Sequence, residues 1–455
     1  MNSSDHTDTS LTSHAPDTTS GDGLTGNFDV PADKSISHRS LIFGGLAIGT
    51  TRVTGLLEGA DVMATANAMR ALGVDIEQHS DGSWVITGVG LHGLMSPTAP
   101  LDLGNSGTGA RLLMGVVAGQ DITATFTGDA SLSVRPMARI TNPLSIMGAK
   151  IASREGGLLP VTITGTPTPF AANHTSKVAS AQIKSAVLLA GLNARGTTIV
   201  TEPHASRDHT EMMLRHFGVK VTQTLREDGA HIVEMEGEAT MTAADIAVPR
   251  DPSSAAFPMV AALITPNSDI TLNAIGMNKL RTGLITTLIE MGGDITIDNE
   301  RIEGGESVAD IRVRHSQLTG ITVPAERAAS MIDEFPILSV AATMASGTTK
   351  MLGVAELRVK ETDRIKVMAD GLIAAGATVS YDDDTMRVTG SPIKGGVTIA
   401  SQHDHRIAMS FLTLGLVAQN PITVSGCDTI TTSFPGFADK MNKAGAMIVS
   451  ETNQA

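Results

Sequence analysis

Two hydrophobic patterns alternate along the chain. The first is a run that is apolar almost all round: SLIFGGLAI, ARLLMGVVA, KSAVLLAGL, FPMVAALI, PILSVAATMA and IAMSFLTLGLVA. A helix without a polar face belongs in an interior, so these six segments predict buried helices, and their small residues let several pack side by side. A Thr- and Val-rich stretch follows each (TTRVTGL, ITATFTG, TTIVTEP, DITLNAI, TTKMLGV, PITVSG) and predicts a strand. The second pattern is a helical run, a Gly, a small residue and a strand start: MRALGVDI, LSIMGAKI, LRHFGVKV, LIEMGGDI, LIAAGATV and MNKAGAMI. Gly73, Gly148, Gly218, Gly292, Gly376 and Gly445 recur at intervals of about 70 to 85 residues. Without a Cβ, glycine accepts the left-handed conformation that stops a helix.

The unit is therefore helix, strand, polar loop, helix, Gly, strand, and usually one more strand such as SWVITGVG or PVTITGT. Six copies make this an internal repeat. Alternating helices and strands imply an α/β fold with parallel strand pairs. Six units split into three plus three, which predicts two domains of similar build with pseudo-threefold symmetry and helices inside. The pattern breaks near VPRDPSSAAF. The expected division is residues 33–252 for repeats 1–3, and residues 253–455 together with 23–32 for repeats 4–6. Two connections between the domains would make a hinge. Residues 1–22 are polar and low in complexity, and are expected to be a disordered tail.

Composition narrows the function classes. A chain of 455 residues with 41% hydrophobic and 3% aromatic residues has a large interior built from Ala, Val, Ile, Leu and Met. The single cysteine, Cys427, excludes an internal disulfide and a cysteine-based metal cluster, and fits a reducing cytoplasm. No apolar run reaches the roughly 18 residues that span a bilayer. The first residues have neither the regions of a secretory signal nor the arginines of a transit peptide. A formal net charge of −14 argues against nucleic-acid binding, although a local cationic cluster can still attract a small anion.

Such clusters exist. Each apolar helix opens on a polar mouth: DKSISHR, GNSGTGAR, SAQIK, RDPSS, SMIDE and HDHR. The unpaired N–H groups of a helix start, joined by hydroxyls and cations, make an anion site. Ordinary capping explains any single mouth equally well, RDPSS and GNSGTG among them. Yet Lys34, Arg39, Arg111, Lys184 and Arg406 have the wrong charge for a first helical turn unless an anion compensates them. Repetition would gather the mouths on one face of each domain, and two such faces across a hinge would form an anion-attracting cleft. Other loops add Arg135 and Arg139 (SLSVRPMAR) and Arg207 (HASRDHTEMM). LRVKETDRIK adds Arg358, Lys360, Glu361, Asp363, Arg364 and Lys366. This last run reads either as a solvated helix face with i,i+4 pairs or as acids held among bases for proton transfer. Asp333, in MIDEFP, is a second carboxylate of that kind.

In this order, DKSISHR, GNSGTGAR, SAQIK, RVKETDR and DHRIAMS resemble the EPSP synthase family, the 3-phosphoshikimate 1-carboxyvinyltransferases. The resemblance runs from about Leu24 to the end, and RDHTE and SMIDEFP are similar to its bacterial class II branch, which includes glyphosate-tolerant enzymes. It implies two inverse α/β domains, each a pseudo-threefold repeat with buried parallel helices surrounded by sheets, and an active site in the interdomain cleft. It further implies transfer of the enolpyruvyl group of phosphoenolpyruvate to the 5-hydroxyl of shikimate 3-phosphate, in aromatic amino-acid (chorismate) biosynthesis. No organic cofactor and no metal are implied. The expected partners are the two small-molecule substrates, with no nucleic acid and no membrane, and the chain is expected to act as a cytoplasmic monomer.

By motif match, Ser35 and Arg39 hold shikimate phosphate and Lys34 reaches both substrates. Ser180, Ala181, Gln182 and Arg207 fall on further shikimate-phosphate positions, as do Asp333 and Lys360. Gly107, Arg135, Arg364 and Arg406 fall on phosphoenolpyruvate positions, with Gln182 shared. Glu361 is the expected proton donor and Asp333 the expected base, with Lys34, Lys360 and His405 as assistants. Three positions depart from common family patterns. Ala32 replaces a glycine before DKS, Thr432 stands where many class I members carry lysine, and Gly107 stands where the best-known tolerant class II pattern has alanine. Two alternatives remain at this point. One is UDP-N-acetylglucosamine enolpyruvyl transferase, which usually carries a reactive cysteine in its first domain. The other is a non-catalytic phospho-ligand-binding protein on the same repeats.

Overall fold

All six apolar segments are helices with almost every side chain shielded from solvent: Lys34–Leu46, Gly107–Ala118, Ala181–Gly191, Pro252–Ile264, Phe335–Thr343 and His405–Gly415. The computed structural model describes residues 9–17, 23–303 and 305–450. Between the buried helices run outer ones, among them Ala60–Ala71, His209–His216 and Arg364–Ala374. The glycines that end the outer helices all have positive φ, from +86° at Gly218 to +115° at Gly445. At the first of them, Gly73 N donates to Arg70 O (2.9 Å) and Val74 N to Met69 O (3.1 Å), which closes the helix end.

The described chain forms two compact units. One comprises Ala32–Pro249 with Glu303–Glu306, and the other comprises the remainder. They are called here the first-half and second-half units. Each has its own continuous apolar core. Much of the scarce aromatic content sits in the second. There Phe434 packs edge-on against Phe437 (5.1 Å between centroids) and Phe28 (6.3 Å).

Six four-stranded sheets follow one plan. The strand after a buried helix pairs in parallel with a short edge strand and antiparallel with a return strand. The return strand also takes the strand that follows the outer helix. In the second repeat these are Thr123–Thr127, Leu101–Asp102, Leu158–Thr164 and Lys150–Arg154. In the fourth repeat, Thr25–Phe28 supplies the parallel edge to Asp269–Gly276, so the segment ahead of the first buried helix joins the second-half unit.

The sixth sheet corrects one expectation. Residues 1–22 were expected to be disordered, yet Leu11–His14 is a strand in the return position, between Asn420–Ser425 and Met447–Ser450. Leu11 pairs with Val424 and Ser450, and Thr12 Oγ1 lies 2.8 Å from Thr423 Oγ1. The cause is topological. In the other five sheets the return strand directly follows the outer-helix strand, whereas here the segment at residues 11–14 fills that slot. Four residues, LTSH, between polar flanks carry no periodic signal of their own. The rest of the expected tail, residues 1–8 and 18–22, lies outside the described residues.

Candidate functional site

In the first-half unit, the opening helix starts at Lys34 because Asp33 caps it, with Oδ1 accepting from Ile36 N at 2.8 Å. Ala32, buried just before that cap, does not prevent it. The Lys34 ammonium pairs with Asp61 of the outer helix Ala60–Ala71. One turn further on, Arg39 is held through three nitrogens. Nε donates to Thr210 Oγ1 (2.7 Å), one terminal nitrogen to Ser35 O (2.9 Å) and the other to Ser185 Oγ (2.9 Å). His38 is wholly buried and its Nδ1 lies 2.8 Å from Thr65 Oγ1. Burial, then the Lys34 and Arg39 charges, hold its pKa well below the usual histidine value, against a smaller opposing effect from Asp33.

At the second mouth Ser106 caps Gly109 N (3.1 Å) and Gly107 is the first helical residue. A side chain there would have its Cβ 3.1 Å from a terminal nitrogen of Arg135 and 3.4 Å from one of Arg111. Arg135 donates to Asn105 Oδ1 (2.7 Å) and Ser131 Oγ (3.0 Å). Arg111 donates to Gln182 Oε1 (2.6 Å), whose Nε2 donates to Thr108 Oγ1 (3.2 Å). Gly107, Arg135 and Gln182 are thus brought together. At the third mouth, Ser180 directly precedes Ala181–Gly191, and its amide donates to Glu202 Oε1 at 2.7 Å. Arg207 is half-buried in the connection from Thr197–Glu202 to His209–His216.

Lys184 corrects a second expectation. Its charge at a helix mouth suggested an external anion, but the chain supplies the compensation. Nζ lies 2.8 Å from Glu211 Oε1 and 3.1 Å from Glu202 Oε2, all three side chains being closed to solvent. The fourth mouth is likewise self-contained, since Arg281 donates to Asp251 Oδ1 and Ser253 Oγ, both at 2.8 Å. RDPSS is a cap.

The second-half unit concentrates its chemistry at the fifth and sixth mouths. Asp333 lies in the turn before Phe335–Thr343. Its Oδ1 is 3.3 Å from both Lys360 Nζ and a terminal nitrogen of Arg364. The other terminal nitrogen of Arg364 reaches Glu361 Oε2 at 2.5 Å, and Nε reaches Asp404 Oδ2 at 2.8 Å. Arg406 donates to the Asp333 carbonyl at 3.1 Å and lies 3.6 Å from Glu334 Oε1. Asp333, Lys360, Glu361, Arg364 and Arg406 therefore form one connected group. Burial alone would lower the Arg364 pKa, but Asp404, Glu361 and Asp333 reverse this and raise it.

The stretch KETDR is no solvated helix face. A 3-10 turn ends at Val359, Asp363 caps, and the helix begins only at Arg364, whose side chain is 1% exposed. Thr432 ends another 3-10 turn and donates to Thr429 O (2.7 Å). Sequence reasoning missed Asp61, Asn105, Ser185, Thr210 and Asp404, the groups that orient the cations. Asp404 had a legible signal, an Asp directly before an apolar run.

Among the described residues, no group of three His, Cys, Asp or Glu side chains is placed to hold a metal ion, and no helix is long and apolar enough to cross a membrane. A cavity of about 380 Å³ in the first-half unit lies at the C-terminal ends of the first and third buried helices, lined by Leu46, Leu91 and Asn193. Two charged groups on its wall, Arg195 and Glu238, pair with each other at 3.3 Å.

The sequence matches the family EPSP synthase (3-phosphoshikimate 1-carboxyvinyltransferase) over residues 18–441. It is 56% identical over 448 residues to the 3-phosphoshikimate 1-carboxyvinyltransferase of Parvibaculum lavamentivorans, covering 98% of each chain. Among solved structures, an EPSP synthase from Acinetobacter baumannii superposes with a TM-score of 0.85 at 47% identity, covering 98% of this chain and 100% of that one. The enolpyruvyl transferase NikO from Streptomyces tendae shares the fold at 16% identity, with a TM-score of 0.75 over 97% of this chain and 99% of its own.

Proposed function

Since the chain belongs to the EPSP synthase family, we propose that it moves the enolpyruvyl group of phosphoenolpyruvate onto the 5-hydroxyl of shikimate 3-phosphate and releases phosphate. The observation that carries this reading is the joining of two carboxylates, Asp333 and Glu361, through the single buried guanidinium of Arg364. A simple anion receptor has no use for them.

The reaction is an addition followed by an elimination. Glu361 gives a proton to the methylene carbon of phosphoenolpyruvate as the 5-hydroxyl oxygen bonds to C2, and Asp333 takes the hydroxyl proton. The tetrahedral intermediate then returns a methyl proton to Glu361 and expels phosphate, which takes up the proton held by Asp333, and the double bond is restored. Arg364 and Arg406, with Arg135, Gln182 and Gly107, receive phosphoenolpyruvate. Lys34, Ser35, Arg39, Ser180, Ala181, Gln182 and Arg207, with Asp333 and Lys360, receive shikimate 3-phosphate. Arginine suits both anions because its planar fork matches carboxylate and phosphate. An arriving anion replaces Asp333 and Glu361 at the terminal nitrogens of Arg364, while Asp404 keeps Nε. Both acids are thereby freed for proton transfer, and the fixed cations oppose the charge that builds on the intermediate.

The first-domain cysteine usual in UDP-N-acetylglucosamine enolpyruvyl transferase has no counterpart among the described residues of the first-half unit. Cys427 is buried, with its thiol donating to Val424 O at 3.2 Å. Action as a cytoplasmic monomer belongs to the same proposal, and sedimentation at the dimer mass would overturn its oligomeric half. The deciding measurement is phosphate release. Shikimate 3-phosphate with phosphoenolpyruvate should yield it, whereas neither alone, nor UDP-N-acetylglucosamine with phosphoenolpyruvate, should do so. No release from the first mixture overturns the reading.

A further inference from the structure

Lys184, like Arg111, is a cation at the mouths of the first-half unit that the proposed reaction leaves unused, and it is fully buried. Two carboxylates face it, so its site already holds more negative than positive charge and cannot receive a further anion. What Lys184 and its partners hold is the chain around the proposed phosphate site. Glu202 Oε1 accepts from the Ser180 amide at 2.7 Å. Both Glu202 oxygens lie 2.8 Å from Ser206 Oγ, and Lys184 Nζ lies 3.2 Å from Ser206 O. One ion pair therefore fixes residue 180 at the helix start and residue 206, the neighbour of Arg207.

Beside it runs a parallel tie. Ser185 and Thr210, adjacent in sequence to Lys184 and Glu211, hydrogen-bond each other at 2.6 Å, and both accept from Arg39. A buried ion pair is poor as a source of stability, because desolvation consumes most of the attraction and apolar side chains would serve as well. Its use lies in direction. Burial would lower the Lys184 pKa, but Glu211 and Glu202 together raise it, so the ammonium stays charged and keeps both ties.

We propose that Lys184 and Glu202 are positioning residues that hold the Ser180 amide and the Arg207 loop in the arrangement that receives the phosphate of shikimate 3-phosphate. This rests on the substrate assignment above. Neither residue touches substrate.

The test compares Lys184→Met, Glu202→Gln and Glu202→Ala with the parent by steady-state kinetics and by amide hydrogen exchange of residues 176–182 and 203–208. Lys184→Met and Glu202→Ala should raise KM for shikimate 3-phosphate about tenfold, with KM for phosphoenolpyruvate changed less than about twofold. Exchange in both segments should quicken. Glu202→Gln keeps an oxygen for the Ser180 amide and should recover most of the affinity, which a merely structural role would not predict. If Lys184→Met does not fold, the two Glu202 variants carry the comparison. Unchanged KM and unchanged exchange in folded variants overturn the proposal. A parent protein that releases no phosphate sinks the assigned reaction instead, and the exchange result then decides positioning by itself.

Discussion

Arg364 and Asp404 form a doubly bonded ion pair inside the second-half unit, with Nε 2.8 Å from Oδ2 and a terminal nitrogen 3.3 Å from Oδ1. Asp404 also caps the sixth buried helix through Arg406 N at 2.9 Å, so one carboxylate places two cations. Asp404→Asn keeps the cap and removes the charge. It should lower stability by about 3 kcal/mol, the low end for breaking a buried pair, because Asp333 and Glu361 still face the guanidinium. Urea unfolding reads this loss, and KM for phosphoenolpyruvate should rise in the same variant.

Asp333 and Glu361 test the chemistry. Asp333→Asn and Glu361→Gln preserve shape and remove proton-transfer capacity. Each should cut kcat by about 10²- to 10⁴-fold with smaller changes in KM. Near-normal turnover in either variant would refute the role assigned to that residue.

Gly107 has an ordinary helical backbone, so alanine is accepted there without strain. The new methyl would press on Arg135, which Asn105 and Ser131 restrain. Gly107→Ala should therefore weaken phosphoenolpyruvate modestly and glyphosate, a bulkier mimic, more strongly. Competition kinetics decides, and equal losses would contradict the crowding argument.

His38 should make the fold acid-sensitive. Its neutral form is the one buried, chiefly through desolvation and then through Lys34 and Arg39. Above its unfolded pKa of about 6.5 it costs nothing; below that, the unfolded chain takes a proton that the folded chain refuses. Stability then falls by up to about 1.4 kcal/mol per pH unit from this residue. His38→Asn, which can keep the bond to Thr65, should show a shallower loss between pH 7 and 5.5 in urea unfolding. An unchanged slope would remove His38 as the cause.

Thr12 lies in the middle of a strand flanked on both sides. Thr12→Pro deletes an N–H where no edge is available and should cost about 3 kcal/mol. Thermal unfolding should show a lower Tm, and an unchanged Tm would argue that residues 11–14 do not hold the sheet together.

The repeat plan was legible because each unit carries its own local signals. An all-round apolar helix states its burial, and a glycine such as Gly73 states where a helix stops. The motif residues were legible as types of charge, and Asp333, Lys360, Glu361, Arg364 and Arg406 do meet. What stayed hidden depends on distant partners. Nothing in SAQIK says that Glu202 and Glu211 neutralise Lys184, and nothing in KETDR says that Asp404 turns Arg364 inward. LTSH was hidden for the same reason, since its partners lie more than four hundred residues away.

That separation has a consequence for biogenesis. Ser13 leaves the ribosome some four hundred residues ahead of its neighbours in the sheet, Ile422 and Ile448. Five sheets can close before residue 420 is made, whereas the sixth must wait for Met447–Ser450. Such long-range pairing is slow to form, so the final commitment to the native state follows the synthesis of residues 447–450. Until then, residues 11–14 of the nascent protein wait without either of the strands that will flank them.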